Sequence, residues 1–122
     1  MTQENQTKFK QFYDRQLDYI AAKDFDGLIE NQYTEDAELI GFNGLHIVGK
    51  PALRHHFEEY VNGLGYIKLL STDKYAETHD SIFFEATVET GGGTARVYDV
   101  FVMKDDKLWR HYTGLLSFTP RS

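Results

Sequence analysis

Thr94-Ala95-Arg96-Val97-Tyr98-Asp99-Val100-Phe101-Val102-Met103, then Lys104-Asp105-Asp106, then Leu108 through Phe118, is the stretch on which the fold turns. Val97 to Met103 reads as a strand buried on both faces, with one carboxylate, Asp99, inside it. The acidic triplet is a hairpin connection and Leu108 to Phe118 a return strand. As a three-residue loop, Lys104-Asp105-Asp106 needs only one left-handed residue, sets Met103 against Lys107 and places Asp99 opposite His111. A two-residue Asp105-Asp106 turn needs both at positive φ and places Asp99 opposite Tyr112. The three-residue loop is the preferred reading. The face it defines holds Val97, Asp99, Phe101, Trp109, His111, Thr113 and Leu115, with Phe84, Ala86 and Val88 aligned on the neighbouring strand.

Two further long strands precede this hairpin, Tyr66 to Ala76 and Ser81 to Thr90, with Gly91-Gly92-Gly93 as a turn. Upstream the pattern changes to helical. Thr7 to Lys23 gathers Phe9, Phe12, Tyr13, Leu17 and Ile20 into one apolar stripe, with Gln16 in its middle. Asp24 caps a short second helix, Phe25 to Asn31. Tyr33-Thr34-Glu35-Asp36 leads into a strand, Ala37 to Phe42, in which Ala37, Leu39 and Gly41 share a face. Asn43-Gly44 is a hairpin turn to a short strand, Leu45 to Val48. Gly49-Lys50-Pro51 opens a third helix, predicted to end on a left-handed Asn62-Gly63 cap. The first six residues are expected to fray. Three helices followed by a long antiparallel sheet predict an α+β domain whose sheet curls around the helices into a cone with one open mouth.

A chain of 122 residues, 41% hydrophobic and 15% aromatic, fits one domain spanning residues 1–122 and fills a sizeable core. With 19 acidic against 13 basic side chains the net charge is −6 and basic clusters are missing, so neither nucleic acid nor an anionic membrane is an expected partner. Cysteine is absent, which excludes thiolate nucleophiles and thiolate metal sites. The N-terminal MTQENQTK has no apolar core and no run approaches membrane length, so a cytoplasmic protein is expected.

The order of elements, with Asp36-Ala37-Glu38-Leu39, a hairpin, Val48-Gly49-Lys50-Pro51-Ala52-Leu53-Arg54 opening a helix, and Tyr98-Asp99-Val100-Phe101 followed by an acidic turn and Lys107-Leu108-Trp109, resembles the nuclear-transport-factor-2-like superfamily. Within it the chain looks most like the SnoaL-like and ketosteroid-isomerase-like proteins. The resemblance covers nearly the whole chain and implies the cone. Its activities range over isomerases, polyketide cyclases, dehydratases and epoxide hydrolases to domains without chemistry. The isomerases' first-helix tyrosine corresponds to Gln16 here, with Tyr13 one turn earlier. Their proton-shuttling aspartate corresponds to Gly41, so that base is missing and a steroid-type isomerase is not expected. Their second aspartate corresponds to Asp99, and in SnoaL-type cyclases a strand carboxylate of this kind is the acid/base.

Asp99 and His111 are accordingly the candidate catalytic pair, since a carboxylate against an imidazole in an apolar cavity can move a proton. They can equally satisfy one another as a structural pair. Tyr13, Gln16, Gly41, His56, Tyr60, Phe84, Phe101, Trp109 and Thr113 are the candidate substrate-binding residues. Gln16 either holds a substrate oxygen or bonds within the core. His56 either lines the pocket or sits at its solvent boundary. The histidines lack the spacing of a metal site, and no cofactor is expected. Two functions remain open: a cofactor-independent cyclase, isomerase or dehydratase acting on a small apolar carbonyl or hydroxyl compound, or a binding module without turnover. The sheet's other face carries Phe83, Tyr98, Val100, Val102, Tyr112 and Leu116, too apolar for water, so a homodimer through that face is expected.

Overall fold

Thr7 starts the first helix, α1 (Lys8–Ala22), by accepting the Lys10 N–H at 2.9 Å on its hydroxyl, and Lys23 closes it in the left-handed conformation. The computed structural model describes residues 6–121, so the fraying expected at the start of the chain lies, for residues 1–5, outside the described residues. Asp24 caps α2 (Phe25–Gln32) through the Gly27 N–H. β1 (Tyr33–Gly41) begins four residues before the predicted strand and turns back at Asn43-Gly44 into β2 (His46–Val48). Pro51 stands in the first turn of α3 (Lys50–Leu64). This helix runs past the predicted Asn62-Gly63 end to a cap at Gly65, φ 90°, where the Gly91 N–H bonds the Leu64 carbonyl at 2.8 Å. The glycine turn therefore serves a second purpose, because a Cβ on Gly91 would strike that carbonyl.

Four strands complete the sheet: β3 (Ile67–Glu77), β4 (Ser81–Thr90), β5 (Gly93–Lys104) and β6 (Lys107–Pro120). Their spatial order is β2-β1-β6-β5-β4-β3. The chain leaves one edge after β2, crosses by way of α3 and starts the meander at the other edge. The last strand thus returns to lie beside the first. It runs parallel to β1, from Leu39 against His111 to Gly41 against Thr113, so the sheet is mixed and not wholly antiparallel as the pattern suggests. The α3 crossover starts β3 opposite in direction to β1, and three antiparallel reversals then bring β6 back parallel to β1. Register shifts in the β3–β4 and β5–β6 ladders bend the sheet, and α1, α2 and α3 fill the hollow. Phe12, Leu28, Leu53, Phe57, Phe84 and Phe101 form the centre of that core.

The decisive hairpin departs from expectation at two places that nearly cancel. Lys104 pairs with Lys107, and Asp105 and Asp106 make a two-residue turn at φ 54° and 64°. Aspartate tolerates this conformation, and a left-handed pair matches the twist of the flanking strands. A bulge follows: Met103 faces Leu108, yet Val102 faces Arg110, leaving Trp109 unpaired. That extra residue restores the phase, so Phe101 lies across from His111 and Asp99 across from Thr113. On the outer face, Phe83, Tyr98, Val100 and Val102 remain partly exposed, and Tyr112 and Leu116 are 42% and 46% exposed. The Tyr98 ring lies over Gly114, where any side chain would collide with it.

Asp106→Gly should raise the unfolding free energy by about 1 kcal/mol in urea denaturation, by removing a Cβ from a left-handed position. The Lys8 partner it forfeits is mostly exposed to solvent and contributes little. A loss of stability would mean that this residue is not left-handed in solution.

Candidate functional site

Between the helices and the concave sheet lies a cavity of about 510 Å³, within the range that takes a drug-sized molecule. Asp99, on β5, and His111, on β6, both face it and are buried. The Nε2 of His111 and the Oδ1 of Asp99 are 2.7 Å apart. The two are diagonal neighbours on one face, a reach that the Trp109 bulge makes possible. Asp99 Oδ2 has no hydrogen-bond partner among the described residues and belongs to the cavity wall.

Behind the imidazole the polar contacts continue into the core. Tyr33, at the start of β1 and fully buried, sets its hydroxyl 3.0 Å from His111 Nδ1. Gln16 Nε2 donates to the same hydroxyl at 2.9 Å. Gln32 Nε2 donates to Gln16 Oε1 and to the Phe12 carbonyl, each at 3.2 Å. Phe57 stacks on the imidazole and Phe101 meets it edge-on, so apolar rings flank it. Burial pushes the Tyr33 phenol well above the ordinary tyrosine range, with Gln16's hydrogen bond opposing and the Asp99 charge reinforcing the rise, so it stays protonated.

The remaining candidates divide. His56, Tyr60, Phe84, Phe101, Thr113 and Gly41 line the cavity, as does Gln16, whose amide is nevertheless committed to Tyr33 and Gln32. Tyr13 does not line it: its hydroxyl bonds Thr72 at 2.6 Å and its ring packs on Tyr75 and Phe84, because its side chain turns toward β3. Trp109 is expelled by its own bulge, with the Arg110 guanidinium 3.9 Å above its ring. A base at Gly41 would require its neighbours to shift, since a Cβ there would meet Leu45 Cβ at 2.9 Å and Asn43 Oδ1 at 3.0 Å. His56 stacks on Tyr60, and burial lowers its affinity for a proton, leaving a neutral ring at pH 7. Tyr60 is 50% exposed, yet the partial burial of its phenol, then the Asp99 charge, raises its pKa above the ordinary tyrosine value.

Tyr33 and Gln32 are absent from the sequence-derived candidates. The rule that exposes Gln16 applies to Gln32, which stands one turn after Leu28 on the apolar stripe of α2. Tyr33 carries no comparable signal, because its strand begins where the local pattern is polar. The lining includes one carboxylate, Asp99, and no lysine or arginine. Among the described residues no three histidine, aspartate or glutamate side chains converge as a ligand set, and no helix is long and apolar enough to cross a membrane.

The family profile described as SnoaL-like domain matches residues 11–111, which include the whole Asp99-to-Phe12 line of contacts. The chain belongs to the SnoaL-like domain family. Solved structures agree on the fold. An NTF2-like protein from Anabaena variabilis is 19% identical, with 90% of this chain and 87% of that one covered and a TM-score of 0.78. A candidate ketosteroid isomerase from Kribbella flavida is 12% identical, with 94% and 83% covered and a TM-score of 0.77. TerC, co-crystallised with polyporic acid, is 15% identical, with 93% and 92% covered and a TM-score of 0.74. At these identities the likeness is one of fold, and it confirms the NTF2-like α+β cone. No curated protein matches the chain.

Tyr33→Phe should lower stability by about 1–3 kcal/mol in urea denaturation, because Gln16 Nε2 and His111 Nδ1 both lose their partner in a dry core. A change of only a few tenths would show that the hydroxyl bridges nothing. A second expectation concerns acid. His56 binds its proton less readily folded than unfolded, so the unfolded chain takes up more protons and stability falls as pH drops through the ordinary value of 6.5. His56→Gln should flatten the stability profile between about pH 7.5 and 5.5. An unchanged slope would contradict the burial of that ring.

Proposed function

We propose that this SnoaL-like domain is a cofactor-independent acid/base enzyme that moves a proton on a small apolar carbonyl compound. The observation that carries the reading is the open Oδ2 of Asp99 in an otherwise apolar cavity, with Oδ1 anchored on His111. Oδ2 takes a proton from the carbon beside the carbonyl. The C–H electron pair becomes the enolate double bond and the carbonyl π pair moves to oxygen. The oxygen pair then re-forms the carbonyl and the same carboxyl returns the proton to the α carbon or, where a conjugated C=C extends the enolate, to its γ carbon, so atoms and charge balance without a co-reactant. Neutral His56 and the Tyr60 phenol, both on the cavity wall, are the donors placed to meet the oxyanion.

The wall also indicates a ligand charge. One carboxylate without a lining lysine or arginine disfavours anionic ligands and suits neutral ones. Crowding at the Gly41 position argues for a single base working in both directions, and against a two-carboxylate isomerase. The test is solvent deuterium exchange, followed by NMR, into a panel of apolar cyclic ketones and matched keto acids. Exchange into ketones by the parent and none with Asp99→Asn is expected. Asparagine keeps an oxygen for His111 Nε2, so the variant should unfold within about 1 kcal/mol of the parent. A parent that binds ketones without exchange would establish the rival reading, a binding module.

We also infer that a second copy covers the outer sheet face. Phe83, Tyr98, Val100, Val102, Tyr112 and Leu116 lie there partly exposed, and the helices occupy the opposite face. Light scattering at low micromolar concentration should give about twice the 14.1 kDa chain mass, and Tyr112→Glu should halve it. A parent of single-chain mass would refute the dimer.

A further inference from the structure

The structure assigns a direction to the buried hydrogen bonds, and with it the tautomer in which His111 faces Asp99. We propose that Gln32, Gln16 and Tyr33 are positioning residues that hold His111 as the neutral Nε2–H tautomer, a fixed donor to the Asp99 carboxylate. The resting site can then only accept a proton, so turnover begins with abstraction from a carbon acid. This rests on the reading of Asp99 as the acid/base and narrows it: a dehydration that first protonates a leaving hydroxyl does not fit.

The direction originates at a group that cannot change role. The Phe12 carbonyl only accepts, so the Gln32 atom 3.2 Å from it is the amide nitrogen. That nitrogen also faces Gln16, which must present Oε1 to it and turn its own Nε2 toward Tyr33. The Tyr33 oxygen is thereby an acceptor on that side. Among the described residues its remaining partner is His111 Nδ1, so the phenolic proton points there and Nδ1 must be bare. A neutral imidazole with bare Nδ1 carries its proton on Nε2 and donates it to Asp99 Oδ1. Oδ1 so engaged carries no proton, and a bare Oδ2 is what the reading of Asp99 as the base supplies. Protonating Nδ1 would set two N–H donors against the Tyr33 oxygen and strand the phenolic proton, which burial keeps on that oxygen.

The ionisable groups around the imidazole are Asp99 on β5, Tyr33 on β1 and, on α3, His56. Asp99 alone draws a second proton onto the ring; the line through Tyr33 opposes it. Gln32→Met keeps the volume but removes the fixed donor, three hydrogen bonds away from His111. Gln16 is then free to turn its oxygen toward Tyr33, Tyr33 can accept, and the imidazolium becomes allowed.

Long-range proton–nitrogen correlation spectra of the uniformly ¹⁵N-labelled full chain, with His111 assigned by its loss in His111→Gln, read this directly. Near pH 6, where an ordinary histidine is largely protonated, the parent should show a bare-type shift at Nδ1 and a protonated-type shift at Nε2. In Gln32→Met, Nδ1 should move to the protonated type. Should that variant fail to fold, Gln32→Leu, which removes the same donor and leaves Gln16 in place, carries the same expectation. A protonated Nδ1 in the parent, or a variant whose His111 shifts stay where they were, would overturn the proposal. These shifts need no substrate, so they stand or fall separately from deuterium exchange into ketones.

Discussion

A backbone carbonyl in the first helix governs the chemistry of a side chain on the fifth strand. Phe12 can only accept, and five hydrogen bonds later that fact has become a donor, His111 Nε2–H, fixed on Asp99 Oδ1. Each link is neutral or charge-assisted and contributes modestly, about 0.5–1.5 kcal/mol net for a typical one. The cost of breaking the pattern is what gives it authority, because an unpaired polar group in a water-free core loses its solvation with no return. Two glutamines and a tyrosine thus do more than fill polar space under the cavity. They remove the alternatives open to the imidazole.

The fold supplies the geometry that makes this line possible. β1 and β6 are adjacent only because the meander returns from the far edge, and that parallel pairing places Tyr33 beneath His111. The helices bring Gln16 and Gln32 to the same depth from the other side of the hollow. The bulge at Trp109 is the remaining requirement. Without its extra residue the two-residue Asp105-Asp106 turn would send Tyr112, and not His111, into the cavity beside Asp99. One unpaired residue on a strand therefore decides whether the site holds an imidazole or a phenol.

Much of this is legible in the sequence, for physical reasons that also mark where legibility ends. Gln16 and Asp99 stand out because each interrupts an apolar pattern whose period is known, and such an intrusion must be satisfied. Helix starts at Thr7 and Asp24 and the Asn43-Gly44 turn follow from local hydrogen bonding. The pairing of Asp99 with His111 emerges from the sequence by an incorrect loop, since a turn one residue shorter and a bulge one residue longer nearly offset each other. Bulges, parallel pairing and strand starts depend on contacts between distant segments, and local pattern is silent on them. Tyr33 is hidden for that reason. Tyr13 and Trp109, aromatic and well placed by period alone, face elsewhere because neighbouring strands redirect them.

Neutron diffraction from a crystal grown in heavy water would place the protons of this line individually. The account predicts deuterium on His111 Nε2, deuterium on the Tyr33 hydroxyl directed at Nδ1, and none on either Asp99 oxygen. Deuterium on Asp99, or on Nδ1, would contradict it.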